Sequence, residues 1–321
     1  MILDAIRNFP SQFAWEPKVQ REEKLARKGK FVVVGMGGSH LAADVLVKGS
    51  PYTDMKVHSD YGLPTLSDAA LRETLVIAVS YSGNTEETMD ALDEAIRRGV
   101  ACAAVATGGK LLDRARARGV PFVELPQAGI QPRMALGFML RALMKLIGDE
   151  KGLRDSAQLA SALDPSALEP KGKALAKTLE GKVPMVYTSF ANRAIAYTWK
   201  VKFNEGAKIP AFWNAFPELN HNEMTGFDVM ERTKPLSEKA SFVFLKDSAD
   251  HPRIARRMEV ARGMLEKRGF PVEMLSLSGG SVWEKAFSSL LLADWTAYFL
   301  AETYGTDPEK VPMVEEFKKM L

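Results

Sequence analysis

The sequence predicts an α/β fold in two tandem domains, each a parallel sheet flanked by helices. Three observations carry this. Short continuous apolar runs end at glycine or at a polar loop, amphipathic stretches lie between them, and the same strand–loop–helix–strand grammar restarts in the second half. The 321 residues are enough for about two domains of ~100–200 residues each.

The first run, Phe31-Val32-Val33-Val34-Gly35, is apolar without alternation, as strands buried on both faces are. A helix over 41–47 follows it. Further strands are expected at Met55–His58, Leu75–Val79, Ala101–Ala106 and Pro121–Leu125. The clearest helix runs from Asn84 to Arg98, with Met89, Leu92, Ala95 and Ile96 on one face. Asn84 is placed to cap it, Glu87 to complete the capping box and Gly99 to end it. A helical stretch from Pro132 to about Gly148 closes the first domain. The segment Asp149–Lys182 is polar, alanine-rich and interrupted by Pro165 and Pro170, which sets the expected boundary at its start. The domains are thus read as residues 1–150 and 151–321.

In the second half, Val183–Thr188 reads as a strand, followed by a helix from Asn192. Ser241–Leu245 is a strand, Pro252–Arg268 a helix with Ile254, Met258, Ala261 and Leu265 on one face, and Val272–Ser276 a strand. The join Lys267-Arg268-Gly269-Phe270 matches Arg97-Arg98-Gly99-Val100 in architecture, though hardly in residues.

Composition narrows the function classes. Apolar residues make up 46%, enough for more than one core, and 43 basic residues face 40 acidic ones, with no block that reads as a nucleic-acid stripe or membrane patch. The one cysteine, Cys102, rules out an internal disulfide and a cysteine-based zinc site. No apolar run nears the ~18 residues of a membrane span, and the first residues lack a signal peptide's apolar stretch. A soluble, cytoplasmic protein without nucleic-acid or membrane partners is expected.

Ligands of open α/β sheets bind beyond the carboxyl ends of strands. Two loops there stand out: Gly35-Met36-Gly37-Gly38-Ser39-His40 and Ser80-Tyr81-Ser82-Gly83-Asn84-Thr85. Each combines glycines, hydroxyls and a following helix N-terminus, which suits a phosphate. A dinucleotide fingerprint competes for the first loop. Its sixth position is His40 where that motif needs glycine or alanine, but Asp60 lies where a ribose-binding acid would sit, so the alternative stays open.

The densest polar segment runs from Asn204-Glu205-Gly206 to Pro217-Glu218-Leu219-Asn220-His221-Asn222-Glu223, interleaved with Phe212, Trp213 and Phe216. Aromatic residues among carboxylates suggest a half-buried pocket in which an acid can serve as a base. Of four histidines, His221 alone has such company; His58 ends a strand and His251 precedes a proline. No histidine pair has zinc-ligand spacing, and no Gly-x-Ser-x-Gly elbow marks a serine hydrolase.

Four strings occur in order: Gly35-Met36-Gly37-Gly38-Ser39, Ser80-Tyr81-Ser82-Gly83-Asn84-Thr85-Glu86-Glu87-Thr88, Pro132-Arg133-Met134-Ala135-Leu136-Gly137 and Pro217-Glu218-Leu219-Asn220-His221-Asn222-Glu223. Together they resemble the sugar isomerase (SIS) domain family, and more narrowly the bifunctional phosphoglucose/phosphomannose isomerases of archaea and bacteria. The C-terminal Leu300-Ala301-Glu302-Thr303-Tyr304-Gly305-Thr306-Asp307-Pro308 and the terminal Lys318-Lys319-Met320-Leu321 are similar too, so the resemblance runs from about residue 30 to the end. The serine-rich loop marks only a SIS domain; the His221 string, 16 residues after Glu205, points to the bifunctional subgroup.

The resemblance implies two tandem SIS-type domains, each with its strands in flavodoxin-like order, and a set of roles. Gly37, Gly38, Ser39, Ser80, Ser82 and Thr85 would hold the phosphate of a hexose 6-phosphate. Glu205 would move a proton between C1 and C2, and Arg133 would sit beside the enediolate. His221 would assist ring opening from the partner subunit of a homodimer, and Lys285, in Val282-Trp283-Glu284-Lys285-Ala286, would assist it as well. No cofactor and no metal are implied. Two positions depart from the pattern: His40 replaces a small residue, and Gly206 replaces an asparagine. The rivals are a non-catalytic phosphosugar sensor, which needs no Glu205, His221 and Arg133 together, and a nicotinamide-dependent oxidoreductase. A glucosamine-6-phosphate synthase is disfavoured, because its amide-hydrolysing half needs an N-terminal cysteine.

Overall fold

The computed structural model describes residues 2–320, which fall into two compact units, Leu3–Leu163 and Asp164–Leu321. The first holds a six-stranded sheet of β1 (Val19–Gln20), β2 (Lys30–Val34), β3 (Asp54–His58), β4 (Thr74–Val79), β5 (Cys102–Ala106) and β6 (Phe122–Glu124). Their spatial order is β1-β6-β5-β4-β2-β3. From β2 to β6 all pairings are parallel, and β1 adds antiparallel to the β6 edge. Apart from that edge strand this is the flavodoxin-like order, whose switch point lies between β2 and β4. Every residue of β4 is buried, and Val32, Val33 and Val34 beside it are 1% exposed or less. Each such Val, Leu or Ile side chain contributes about 1.5–3 kcal/mol on burial, so the two strands at the switch point anchor the core of the unit.

The helices of this unit are α1 (Ile2–Arg7), α2 (Leu41–Gly49), α3 (Asp68–Arg72), α4 (Glu86–Arg97), α5 (Gly109–Arg118), α6 (Leu136–Ile147), α7 (Glu150–Ala157) and α8 (Leu159–Ala162). The second unit follows as α9 (Pro165–Leu179), β7 (Val183–Ser189), α10 (Arg193–Lys202), β8 (Phe212–Phe216), α11 (Lys234–Ser237), β9 (Ala240–Lys246), α12 (Pro252–Lys267), β10 (Val272–Ser276), α13 (Val282–Tyr304) and α14 (Pro312–Met320). Its four strands are all parallel, in the order β10-β9-β7-β8, with the switch point between β7 and β9.

The structure corrects three local expectations. First, α4 begins at Glu86 with Thr85 at the N-cap position and no side-chain cap. Asn84, expected to cap it, instead accepts a hydrogen bond from the Lys110 backbone N–H at 3.2 Å and so ties the serine-rich loop to α5. Second, most of Asp149–Lys182, read only as a polar, proline-interrupted segment, is helical. Asp149 caps α7 through the Gly152 N–H (2.8 Å), and Asp164 caps α9 through the Ala167 N–H (3.0 Å), with Pro165 at the first helical position, where its missing N–H costs nothing. Third, Phe212–Phe216, read as part of a pocket-forming loop, is strand β8, at the sheet edge with Phe212 exposed.

The first compact unit runs on through α7 and α8 to Leu163, and one buried cation fastens α7 within it. Arg141 of α6 is 1% exposed and donates to the Leu153 carbonyl (2.8 Å) and the Ser156 hydroxyl (3.0 Å), which fastens α7 onto α6. It also donates to the Trp15 carbonyl (2.6 Å) and to Glu16 (2.8 Å). Burial lowers its pKa from the ordinary value, with Glu16 opposing the shift.

Candidate functional site

In the first unit the two glycine- and hydroxyl-bearing loops leave β2 and β4, the strands flanking the switch point. Gly35 has to be glycine because a β-carbon there would lie 2.9 Å from the Val79 carbonyl oxygen at the end of β4. The loop then makes a 3-10 turn, Gly37–Ser39, and enters α2. The buried Ser39 hydroxyl accepts from the Tyr81 backbone N–H at 3.1 Å, which joins the first loop to the second.

Within the second loop the fully buried Ser80 hydroxyl accepts from the Gly83 N–H at 3.1 Å and shares a hydrogen bond of 2.8 Å with the Thr85 hydroxyl. Ser82 is exposed and accepts from the Asn84 N–H at 3.3 Å. Beneath them, the Thr107 hydroxyl donates to the Tyr81 carbonyl (2.7 Å). Burial raises the pKa of the Tyr81 phenol. Of the expected phosphate ligands, Ser39, Ser80 and Thr85 are thus tied into the serine-rich loop by hydrogen bonds, and Ser82 bonds within its own turn. Because α4 has no side-chain cap, its first N–H groups and helix dipole are available to an anion.

Gly83 shows how tightly this loop is built. Its φ is +72°, and an added β-carbon would lie 1.8 Å from the Gly108 carbonyl oxygen. We expect Gly83→Ala to combine left-handed strain with a backbone clash, costing about 4 kcal/mol or more. Thermal unfolding should therefore fall by about 10 °C; a melting point within 2 °C of the parent would refute this packing, at about 2–4 °C per kcal/mol.

Arg133 lies in a 3-10 turn, Pro132–Met134, between β6 and α6, and is 2% exposed. A β-carbon on Gly38 would meet the Arg133 backbone nitrogen at 2.7 Å and the Pro132 β-carbon at 2.9 Å, so the Gly37-Gly38 loop and the Arg133 turn pack backbone to backbone. Buried Gln12 holds the far side, donating to the Met134 carbonyl (2.7 Å) and accepting from the Gly137 N–H (3.0 Å). His40, the departure next to Ser39, is buried with Nδ1 2.6 Å from the Asp44 carboxylate, one turn along α2.

In the second unit Glu205 is half-buried in a π-helical turn, Phe203–Ala207, that continues α10. Such widened turns recur at functional sites because they re-aim one side chain while keeping the helix. The Asn204 side-chain amide donates to the Ile209 carbonyl (2.9 Å), and Lys208, left-handed at φ +59°, turns its ammonium to the Glu205 carbonyl. Upstream, Lys202 and Asp294 of α13 form a buried ion pair at 2.6 Å. Gly206 explains its own departure: a β-carbon there would sit 3.1 Å from that of Ala297, so an asparagine would need α13 to yield.

His221 is exposed at the end of a 3-10 turn, Glu218–His221, after β8. Lys285 is in the first turn of α13, capped by Ser281, and its ammonium donates to Asp247 (2.7 Å) and Ser248 (3.1 Å) beyond the end of β9. Sequence reasoning missed Asp247, which is 4% exposed, because nothing local distinguishes it from a turn aspartate. Among the described residues no three His, Cys, Asp or Glu side chains converge as a cation cage, and no helix is long and apolar enough to cross a membrane.

Comparison with known proteins shows what the whole chain is similar to. Residues 169–321 match the family described as bacterial phospho-glucose isomerase C-terminal SIS domain. The chain is 35% identical over 324 residues to the bifunctional phosphoglucose/phosphomannose isomerase of Aquifex aeolicus, spanning 100% of this chain and 98% of that protein. It is 34% identical over 212 residues to the D-glucosamine-6-phosphate 4-epimerase of Sulfolobus acidocaldarius, spanning 65% of each. Among solved structures, the C-terminal domain of glucosamine-fructose-6-phosphate aminotransferase from Francisella tularensis superposes with a TM-score of 0.72 at 14% identity, covering 96% of both chains, a likeness of fold.

Proposed function

The chain belongs to the bifunctional phosphoglucose/phosphomannose isomerase family and is a sugar-phosphate isomerase; we propose that it interconverts glucose 6-phosphate and mannose 6-phosphate with fructose 6-phosphate through an enediolate, without a metal ion. In this reading Gly37, Gly38, Ser39, Ser80, Ser82 and Thr85 hold the phosphate. That group takes no part in the chemistry, but its binding energy orients the sugar. Glu205 removes the proton from C2 of either aldose and returns it to C1. The enediolate has a planar C2, so one base serves both epimers. Its negative charge arises during the reaction, and the planar Arg133 guanidinium stabilises it. His221 and Lys285 move the protons of ring opening, His221 from the partner subunit of a cytoplasmic homodimer.

The observation that supports this most is the joining of both hydroxyl loops to each other by Ser39 and Tyr81, with Gly38 closing on the Arg133 turn. In this reading a phosphate handle and an enediolate-stabilising cation lie on adjoining turns of the first unit. The relative that epimerises at C4 makes product identity the sharpest test. After chelator treatment, each of the three hexose 6-phosphates should equilibrate with the other two, as followed by NMR. Loss of turnover with chelator and recovery with a divalent cation would sink the metal-free route; a C4 epimer as sole product would sink the isomerase assignment.

A further inference from the structure

Glu223 has no part in the roles above, yet both oxygens of its carboxylate accept hydrogen bonds. Tyr187 on β7 and Asn214 on β8 are direct cross-strand partners. Both turn their polar ends to the same carboxylate: the Tyr187 hydroxyl donates to Oε1, and the Asn214 amide donates to Oε2. Tyr187 is 1% exposed and its ring packs among Phe216, Phe242 and Phe244 at centroid distances of 5.3–6.3 Å. Burial, with the adjacent carboxylate, pushes its phenol pKa far above the ordinary value, so it remains a donor at any working pH.

Glu223 opens the turn Glu223–Phe227, two residues after His221. Leu219 on one side of His221 is fully buried, and Phe227 on the other packs edge-to-face on Phe242 at 4.9 Å. These apolar contacts fix how deep the segment sits. They are non-directional, however, and do not set the angle at which an exposed imidazole is presented. Two hydrogen bonds to one planar carboxylate do set an angle.

We propose that Glu223 is a positioning residue for His221, its carboxylate clamped between Tyr187 and Asn214 so that the imidazole is presented in one orientation. The kinetic part of this proposal rests on the ring-opening role given to His221 above; the orientation part does not.

Two readouts separate them. The four histidines give four imidazole Cε1–H cross-peaks in a carbon–proton NMR spectrum, and the peak missing in His221→Ala identifies His221. In Glu223→Ala that peak should move to the position of a freely rotating histidine, while the other three stay in place. An unmoved His221 peak overturns the proposal. Kinetically, Glu223→Ala should lower kcat by about 10–100-fold with KM little changed, the size of effect expected from misplacing a reacting group by about 1 Å. On a His221→Ala background the same substitution should change kcat less than about twofold, because a residue acting through another is non-additive with it. Equal losses on both backgrounds would overturn the proposal.

Glu223→Gln can still accept from Asn214 and donate to the Tyr187 oxygen, so it should recover to within about threefold of the parent. Tyr187→Phe keeps the ring packing and removes one donor; it should shift the His221 peak in the same direction, and an unmoved peak there counts against the clamp. If His221→Ala alone leaves kcat intact while the Glu223→Ala peak still moves, the ring-opening role fails and the orientation role stands.

Discussion

Glu205→Gln should lower turnover of all three hexose 6-phosphates by at least about 10³-fold, within the range that a positioned general base contributes. Glutamine keeps the length and shape of the side chain but cannot take a carbon-bound proton. The turn that carries it is held mainly by other groups: the Asn204 amide on the Ile209 carbonyl, the Lys208 ammonium on the Glu205 backbone carbonyl, and close packing of Gly206 on Ala297. Binding of an open-chain aldonate phosphate, which imitates the enediolate, should therefore stay within about threefold, as expected when an interaction made only in the transition state is removed. Incorporation of solvent deuterium at C2 of glucose 6-phosphate should stop together with turnover. Persistent deuterium exchange at the parent rate would show that another group is the base.

The second large effect is one of recovery. Glu205→Gln and His221→Ala should each be close to inactive alone. If the imidazole acts across a two-fold interface, random exchange of subunits yields half mixed dimers, each with one intact site of its two. Activity should then return to about a quarter of the parent level, as isologous symmetry requires. The exposure of His221 on its turn is what a residue serving another chain needs. Subunit exchange verified by mass spectrometry with no recovered activity would confine both groups to one chain.

Much of the architecture could be read locally. The strands at Phe31 and Leu75 announced themselves because strands buried on both faces must be continuously apolar, and the structure has them at Lys30–Val34 and Thr74–Val79. The elements that escaped are those whose reasons are not local. Strand β8 reads as a polar loop because it lies at the sheet edge, where Phe212 is exposed and Asn214 is spent on Glu223. Helices α7 and α9 were hidden by prolines and charge, while what holds α7 in place is Arg141, which gives no sign in the sequence that it is buried. Asn84 looked like a helix cap because capping is the commonest use of asparagine before a helix; a tertiary partner, the Lys110 N–H, outcompeted it.

The sequence by itself determined the fold class, the family, and which residue types stand ready for phosphate binding and proton transfer, because periodicity and motif spacing are properties of the chain. Only the tertiary structure decided how those residues are held. It joined the two hydroxyl loops through Ser39 and Tyr81, set Gly38 against Arg133, placed Glu205 in a widened helical turn, and clamped Glu223 beside His221. Each of these depends on a hydrogen bond or a close approach between segments distant in sequence or on different strands. Side-chain orientation is set by such partners, and no local pattern encodes them.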